Sequence, residues 1–191
     1  MKSDVIKVSS REDRIDLVLD QAARMASVQN LSHKSALHLR LLSEEMMCMM
    51  RAIAGDVYGE FWIENKGLSY ELHLRCNTFM DDYKRQQLLS ASSSGKNEAE
   101  RGFMGKLRAF FEPAEGLPLL YDLNPDGTYS DMVWSMRSYQ QMLHQYVGQN
   151  REGAEDAWDE LEKSVVSHLA DDVRVGIRGN EVEMTVFRTL E

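Results

Sequence analysis

Residues 35–55 read SALHLRLLSEEMMCMMRAIAG, and the fold is decided by how this stretch is read. Ala, Leu, Met, Glu and Arg dominate and proline is absent, so it is one helix of about five turns. From Met46 onward it is apolar on nearly every side, which marks a buried helix and not one laid on a surface. Glu44 and Glu45 interrupt it and are not equivalent. Glu44 has Arg40 one turn earlier, an ordinary i,i+4 pair. Glu45 has Leu41, Leu42, Cys48 and Met49 at its i±3 and i±4 positions. A carboxylate in that setting is costly without a partner and is a candidate for function. The structural alternative is a buried Glu paired with an Arg or with backbone.

Working outward, residues 5–8 form a short strand. Ser9 and Glu12 fit a capping box for the next helix. Ile15, Val18, Leu19, Ala22 and Ala26 give that helix one apolar stripe. Asn30 and Ser32 separate it from the central helix. On the other side, Gly55 and Gly59 end the central helix, and residues 61–64 are apolar and aromatic. Asn65-Lys66-Gly67 is a turn signal. Leu68, Tyr70, Leu72, Leu74 and Cys76 then alternate with Ser69, Glu71, His73, Arg75 and Asn77, so the two runs make a hairpin.

A short amphipathic helix is expected over 80–89 and a mobile small-residue stretch over 90–100. Residues 101–111 give a further helix opened by Gly102 and Gly105. All three prolines fall in a linker at 112–128. Tyr129, Met132, Met136, Tyr139, Leu143 and Tyr146 recur at spacings of 3 and 4. Trp158, Leu161, Val165 and Leu169 mark a second helix, completing a helical hairpin. The chain closes on a strand hairpin: Val173, Val175 and Ile177, then Gly179-Asn180, then Val182, Met184 and Val186. Strands in antiparallel pairs separated by helices predict the α+β class. The architecture expected is a two-layer sandwich, with a mixed, mostly antiparallel sheet of about five strands covered by helices on one face. Residues 1–191 read as one domain, with 112–170 inserted as linker plus helical hairpin.

The 191 residues are 43% hydrophobic and 28% charged, ordinary for a globular chain. A net charge of −9 argues against sequence-independent nucleic-acid binding. No apolar run approaches the roughly 20 residues that span a bilayer, so no membrane is expected. The opening MKSDVIKVSS lacks the apolar core of a signal peptide, which predicts a cytoplasmic location. Cys48 and Cys76 read as small buried hydrophobes. His33, His38, His73, His144 and His168 show no HxxxH or His–Cys ligand spacing, so no metal site is expected.

This order of elements, with an acidic pair inside a long buried helix, resembles the ATP-binding domain of gyrase, Hsp90, histidine kinases and MutL, the GHKL superfamily. It is most similar to the anti-sigma-factor serine kinases. LLSEEMMCMM resembles the helix whose Glu is followed four residues later by an Asn. RGFMGKLRAFF resembles the glycine-containing segment that ends the nucleotide lid. DDVRVGIRGNEVEMTVFRTL resembles the C-terminal hairpin. The resemblance covers roughly residues 4–111 and 171–190. It implies that Glu45 stands at the general-base position. Asn77 would stand at the adenine-reading Asp, with Asp81 or Asp82 as substitutes, and Phe79 where a glycine belongs. Gly102 and Gly105 would present N–H groups to phosphate, helped by Lys96, Arg101 and Lys106.

The departures decide the functional expectation. Met49 occupies the place of the Mg2+-holding Asn, and a thioether is a poor ligand for a hard cation. One residue earlier, Glu44 would face Cys48, which is no better. The expectation is therefore a degenerate nucleotide-binding domain that acts as a regulatory protein-interaction module of bacterial signalling type and does not hydrolyse ATP. No cofactor is expected, ATP or ADP binding is left open, and Mg2+ is not expected. A protein partner such as a sigma-like regulator is expected, and a homodimer is left open. The competing readings are an ATP-dependent serine protein kinase, with Glu45 activating a Ser hydroxyl, and a nucleotide sensor without turnover.

Overall fold

Two-residue alternation builds the sheet and a 3.6-residue stripe covers it. The computed structural model describes residues 1–9, 15–54, 58–77, 132–151, 153–178 and 181–190. In chain order the elements are β1 (Ile6–Ser9), α1 (Ile15–Val28), α2 (His33–Ala54), β2 (Tyr58–Lys66), β3 (Ser69–Asn77), β4 (Met132–Ser135), α3 (Met136–Gly148), α4 (Ala154–Lys163), α5 (Val165–Leu169), β5 (Asp172–Arg178) and β6 (Glu181–Thr189). The strands form one sheet in the order β1-β2-β3-β6-β5-β4. Every described pairing in it is antiparallel. The fold is α+β, and both hairpins share one layer.

Each hairpin sorts its side chains by face. Phe61 and Ile63 of β2, Tyr70, Leu72, Leu74 and Cys76 of β3, Val173 and Val175 of β5, and Val182, Met184 and Val186 of β6 are buried on one side. Glu71, His73 and Arg75 lie on the other side, opposite Phe187, Thr185 and Glu183. The helices pack against the apolar side, and residues from α1 to α5 join the strands in one core. Leu39, Leu42, Met46 and Met49 of α2 follow one another at helical spacing and are almost fully buried. Burying four such side chains contributes roughly 1.5–3 kcal/mol each. A surface i,i+4 pair such as Arg40 with Glu44 offers only about 0.3–0.5 kcal/mol. Packing, and not side-chain charge, therefore holds α2 in place.

The edge of the sheet is pinned by its first residues. Ser3 donates its N–H to the Ile63 carbonyl at 2.8 Å, and Lys2 bridges Glu64. Between this isolated bridge and the pairing of Ile6 with Phe61 the register shifts by one residue. The Asp4 carbonyl accepts a 2.6 Å hydrogen bond from Gln21 Nε2 of α1. This bond fastens the strand edge to the helix layer, and Lys2 lies beside Glu64.

Several expectations are corrected. Gly59 does not terminate α2; it lies within β2, where a Cβ would stand 2.6 Å from the Arg75 carbonyl oxygen. Strand β2 is accordingly longer than residues 61–64. Met132 belongs to β4 and not to a helix. The apolar spacing of 3 and 4 begins only at Met136, because the Ser135 side chain accepts from the Ser138 N–H and caps α3 there. Asp172 holds this corner. Its carboxylate accepts from Ser135 Oγ at 3.1 Å, from the Arg137 N–H at 3.2 Å and from the Val173 N–H at 2.9 Å. The stretch read as an insertion therefore supplies a sixth strand to the same sheet. The helix read through Trp158 to Leu169 is broken at Ser164, whose backbone is extended (φ −73°, ψ 130°). Cys48 is exposed, while Cys76 is buried with Sγ 3.3 Å from Met50 Sδ. The expected helices at 80–89 and 101–111, the mobile stretch at 90–100, the linker at 112–128, Glu12 of the capping box and the Gly179-Asn180 turn lie outside the described residues.

Two outcomes follow from this packing. Gly59→Ala should destabilise by about 1–3 kcal/mol, because the new methyl meets backbone that cannot yield; urea denaturation measures it. Burial pushes the Cys76 thiol up to about 12, whereas Cys48 is exposed. A disulfide reagent at pH 8 should therefore consume one thiol in the native protein and two in denaturant. The native reaction should be slow, since partial burial and then Glu45 and Glu44 also raise the Cys48 pKa.

Candidate functional site

Of the residues singled out for a nucleotide site, Glu45 and Asn77 are described; Phe79, Asp81, Asp82, Lys96, Arg101, Gly102, Gly105 and Lys106 lie outside the described residues. Glu45 is half-buried on α2, and Met49, one turn on, is buried in the core. The contact of Cys76 with Met50 ties the end of β3 to the end of α2. Asn77 follows Cys76 and is paired with Glu181. Strand alternation turns its exposed side chain to the face away from α2. The structure thus sets Asn77 and Glu45 on opposite sides of the sheet.

The described residues hold a different concentration of functional groups, on the polar face of β2, β3 and β6. Its centre is a stacked pair. Trp62 and His73 are cross-strand partners, with ring centroids 4.7 Å apart and planes 3° from parallel. Lys2 Nζ sits 4.6 Å from the Trp62 ring centroid and the Arg75 guanidinium 5.3 Å from it. These cations cover the indole, so a tryptophan on the polar side is only 5% exposed.

Carboxylates surround the imidazole. His73 Nδ1 lies 3.3 Å from Thr185 Oγ1 and 3.4 Å from Glu183 Oε1. His73 Nε2 lies 3.5 Å from Glu71 Oε2. That nitrogen is buried and makes no hydrogen bond among the described residues. Glu64 stands directly across from Glu71 in the register. Like charges in that position are destabilising unless compensated. Compensation comes from Lys66 Nζ, 2.8 and 2.9 Å from the two Glu71 oxygens. Glu64 Oε1 accepts from Trp62 Nε1 at 3.0 Å and lies 3.2 Å from Lys2 Nζ. Arg75 completes the row, 3.1 Å from Glu183 Oε2.

One ligand atom each from Glu64, Glu71 and His73 can be chosen so that all lie within 4.8 Å of one another. The arrangement can therefore orient a histidine between carboxylates, exchange a proton with it, or hold a cation. Reading residue by residue missed this cluster because its members come from two strands. A signal was present nonetheless: the chain does turn at Gly67, though the turn is Gly67-Leu68, with Asn65 and Lys66 still in β2 and Leu68 outside β3. The register this turn closes sets Glu64 against Glu71 and Trp62 against His73.

The indole hydrogen bond, then Lys2, holds the Glu64 carboxyl below its ordinary value of 4.5. A lowered folded-state pKa stabilises the fold above the unfolded value and loses that contribution as pH falls through the lowered one. Glu64→Gln should therefore lower the urea midpoint at neutral pH. The gap from wild type should close as pH drops below 4.5. Compared with protein-family models, with curated proteins and with solved structures, the chain matches none of them.

Proposed function

We propose that this chain is a GHKL-like ATP-binding fold that has lost Mg2+-nucleotide chemistry and works as a regulatory module through protein contacts. The observation that carries this reading is the position of Met49. It stands where the resemblance places the metal-holding Asn, and it is 2% exposed. Its thioether is packed as core along the stripe Leu39–Leu42–Met46, so it adds no oxygen to a phosphate site and none to Mg2+. The kinship is supported by the two hairpins lying side by side in one sheet beneath α2. In this reading Glu45, a half-buried carboxylate, is a relict of the general base.

The partner in this reading is another protein, a sigma-like regulator or its antagonist. The setting is the cytoplasm. Two free thiols agree with a reducing compartment. Among the described residues no helix is long and apolar enough to cross a membrane.

Melting the protein with ATP, ADP or adenosine, each with and without Mg2+, tests the proposal. A ligand confined to the native state at 100 times its dissociation constant stabilises by about 2.7 kcal/mol. The proposal expects no Mg2+-dependent rise in Tm with any of the three. A rise that requires Mg2+ would restore the kinase reading and overturn this one, and a Mg2+-independent rise would replace it with a nucleotide sensor.

A further inference from the structure

We propose that Glu64, Glu71 and His73 form a binding site for a divalent transition-metal ion of borderline hardness, with Zn2+ the best fit. The three donors come from the paired strands β2 and β3 and lie within 4.8 Å of one another. Carboxylate oxygen and imidazole nitrogen are both donors that zinc takes, and three such ligands leave a fourth tetrahedral position for water. An imidazole ligand disfavours Mg2+ and Ca2+, which take oxygen.

Three features beyond the proximity of the donors point the same way. The first is His73 Nε2, which is buried, makes no hydrogen bond among the described residues and is turned toward Glu71 Oε2 at 3.5 Å. The second is the other ring nitrogen. Nδ1 faces Glu183 Oε1 at 3.4 Å and Thr185 Oγ1 at 3.3 Å. A metal-bound histidine usually gives its second N–H to a carboxylate, which fixes the tautomer and aims the lone pair. The third is the ring plane, held by the parallel Trp62 indole at 4.7 Å. The imidazole is oriented from three sides, and its remaining nitrogen is directed at the pair of carboxylates.

The cations now on those carboxylates are easily displaced. The Lys2 and Lys66 side chains are 51% and 62% exposed, so both ammonium groups can return to water when an ion enters. Trp62 Nε1 and Lys2 Nζ both contact the same Glu64 oxygen, Oε1. Binding involves no covalent or redox step: the ion displaces two lysines and takes a lone pair from Nε2, with Nδ1 keeping its proton toward Glu183. Ligand spacing along the chain could not reveal such a site, because β-strand pairing, not one helix or loop, brings the donors together.

Zinc titration of the full chain by calorimetry, with Co2+ absorption as a second readout, tests this. The expected result is one Zn2+ per chain, a raised Tm and a visible Co2+ band. His73→Gln and Glu71→Gln should each weaken binding at least tenfold. Glu183→Gln should weaken it about 10- to 100-fold through the second nitrogen, and His144→Gln should leave it unchanged. Absence of binding at 100 µM Zn2+, or undiminished binding in His73→Gln or Glu71→Gln, would overturn the site, as would tighter binding of Mg2+ or Ca2+. Should a variant fail to fold by circular dichroism, the wild-type His73 ring resonances decide. They must move at one equivalent of Zn2+, and unmoved resonances would overturn the proposal.

Discussion

Burial of one side of α2 against the apolar face of the sheet is the interaction on which the remaining structure depends. Leu39, Leu42, Met46 and Met49 recur at helical spacing, and the strands answer with Phe61, Ile63, Leu72, Leu74, Met184 and Val186, all at most 2% exposed. Strand side chains alternate strictly, so committing these residues to the core commits their neighbours to the other face. The polar row of Glu64, Glu71, His73, Arg75 and Glu183 is in that sense a by-product of how α2 is buried.

The two faces then follow different chemistry. On the α2 side, methionine fills irregular space, and flexible thioethers suit that role better than they suit binding an ion. On the polar side, a tryptophan that cannot reach the core is covered by cations and a stacked imidazole. Carboxylates set opposite one another are kept apart from net repulsion by lysines held close to them. The side of the sheet covered by α2, with Glu45 and Met49, is thus the side most filled by hydrocarbon and sulfur. The opposite side, on which Asn77 also lies, carries the ordered polar groups.

Much of this was legible in the sequence, and the exceptions have physical causes. Both hairpins announced themselves by alternation, because a sheet with one dry face imposes a period of two. Gly59 was misread because glycine after a helix commonly ends it, whereas here it lets β2 pass close to the Arg75 carbonyl. Met132 shares a spacing with Met136 and Tyr139 that suits a helix, and only pairing with β5 turns it into strand. Ser164 ends α4 in extended backbone although the apolar spacing continues past it. Glu45 was recognised as unusual from its neighbours on the helix. Trp62 and His73 were not recognised as a pair, since they are eleven positions apart and meet only once the register is set.

The central claim is that the sulfur of Met49 is core and not the wall of a metal–nucleotide pocket. Methyl-labelled methionine gives twelve probes in this chain, one at residue 49. Titrating in Mn2+-ATP, whose unpaired electrons broaden nearby resonances, reports directly on that position. The account predicts that the Met49 methyl signal keeps its width at Mn2+-ATP concentrations that leave the fold intact. Selective broadening of Met49 ahead of the other methionines would contradict it.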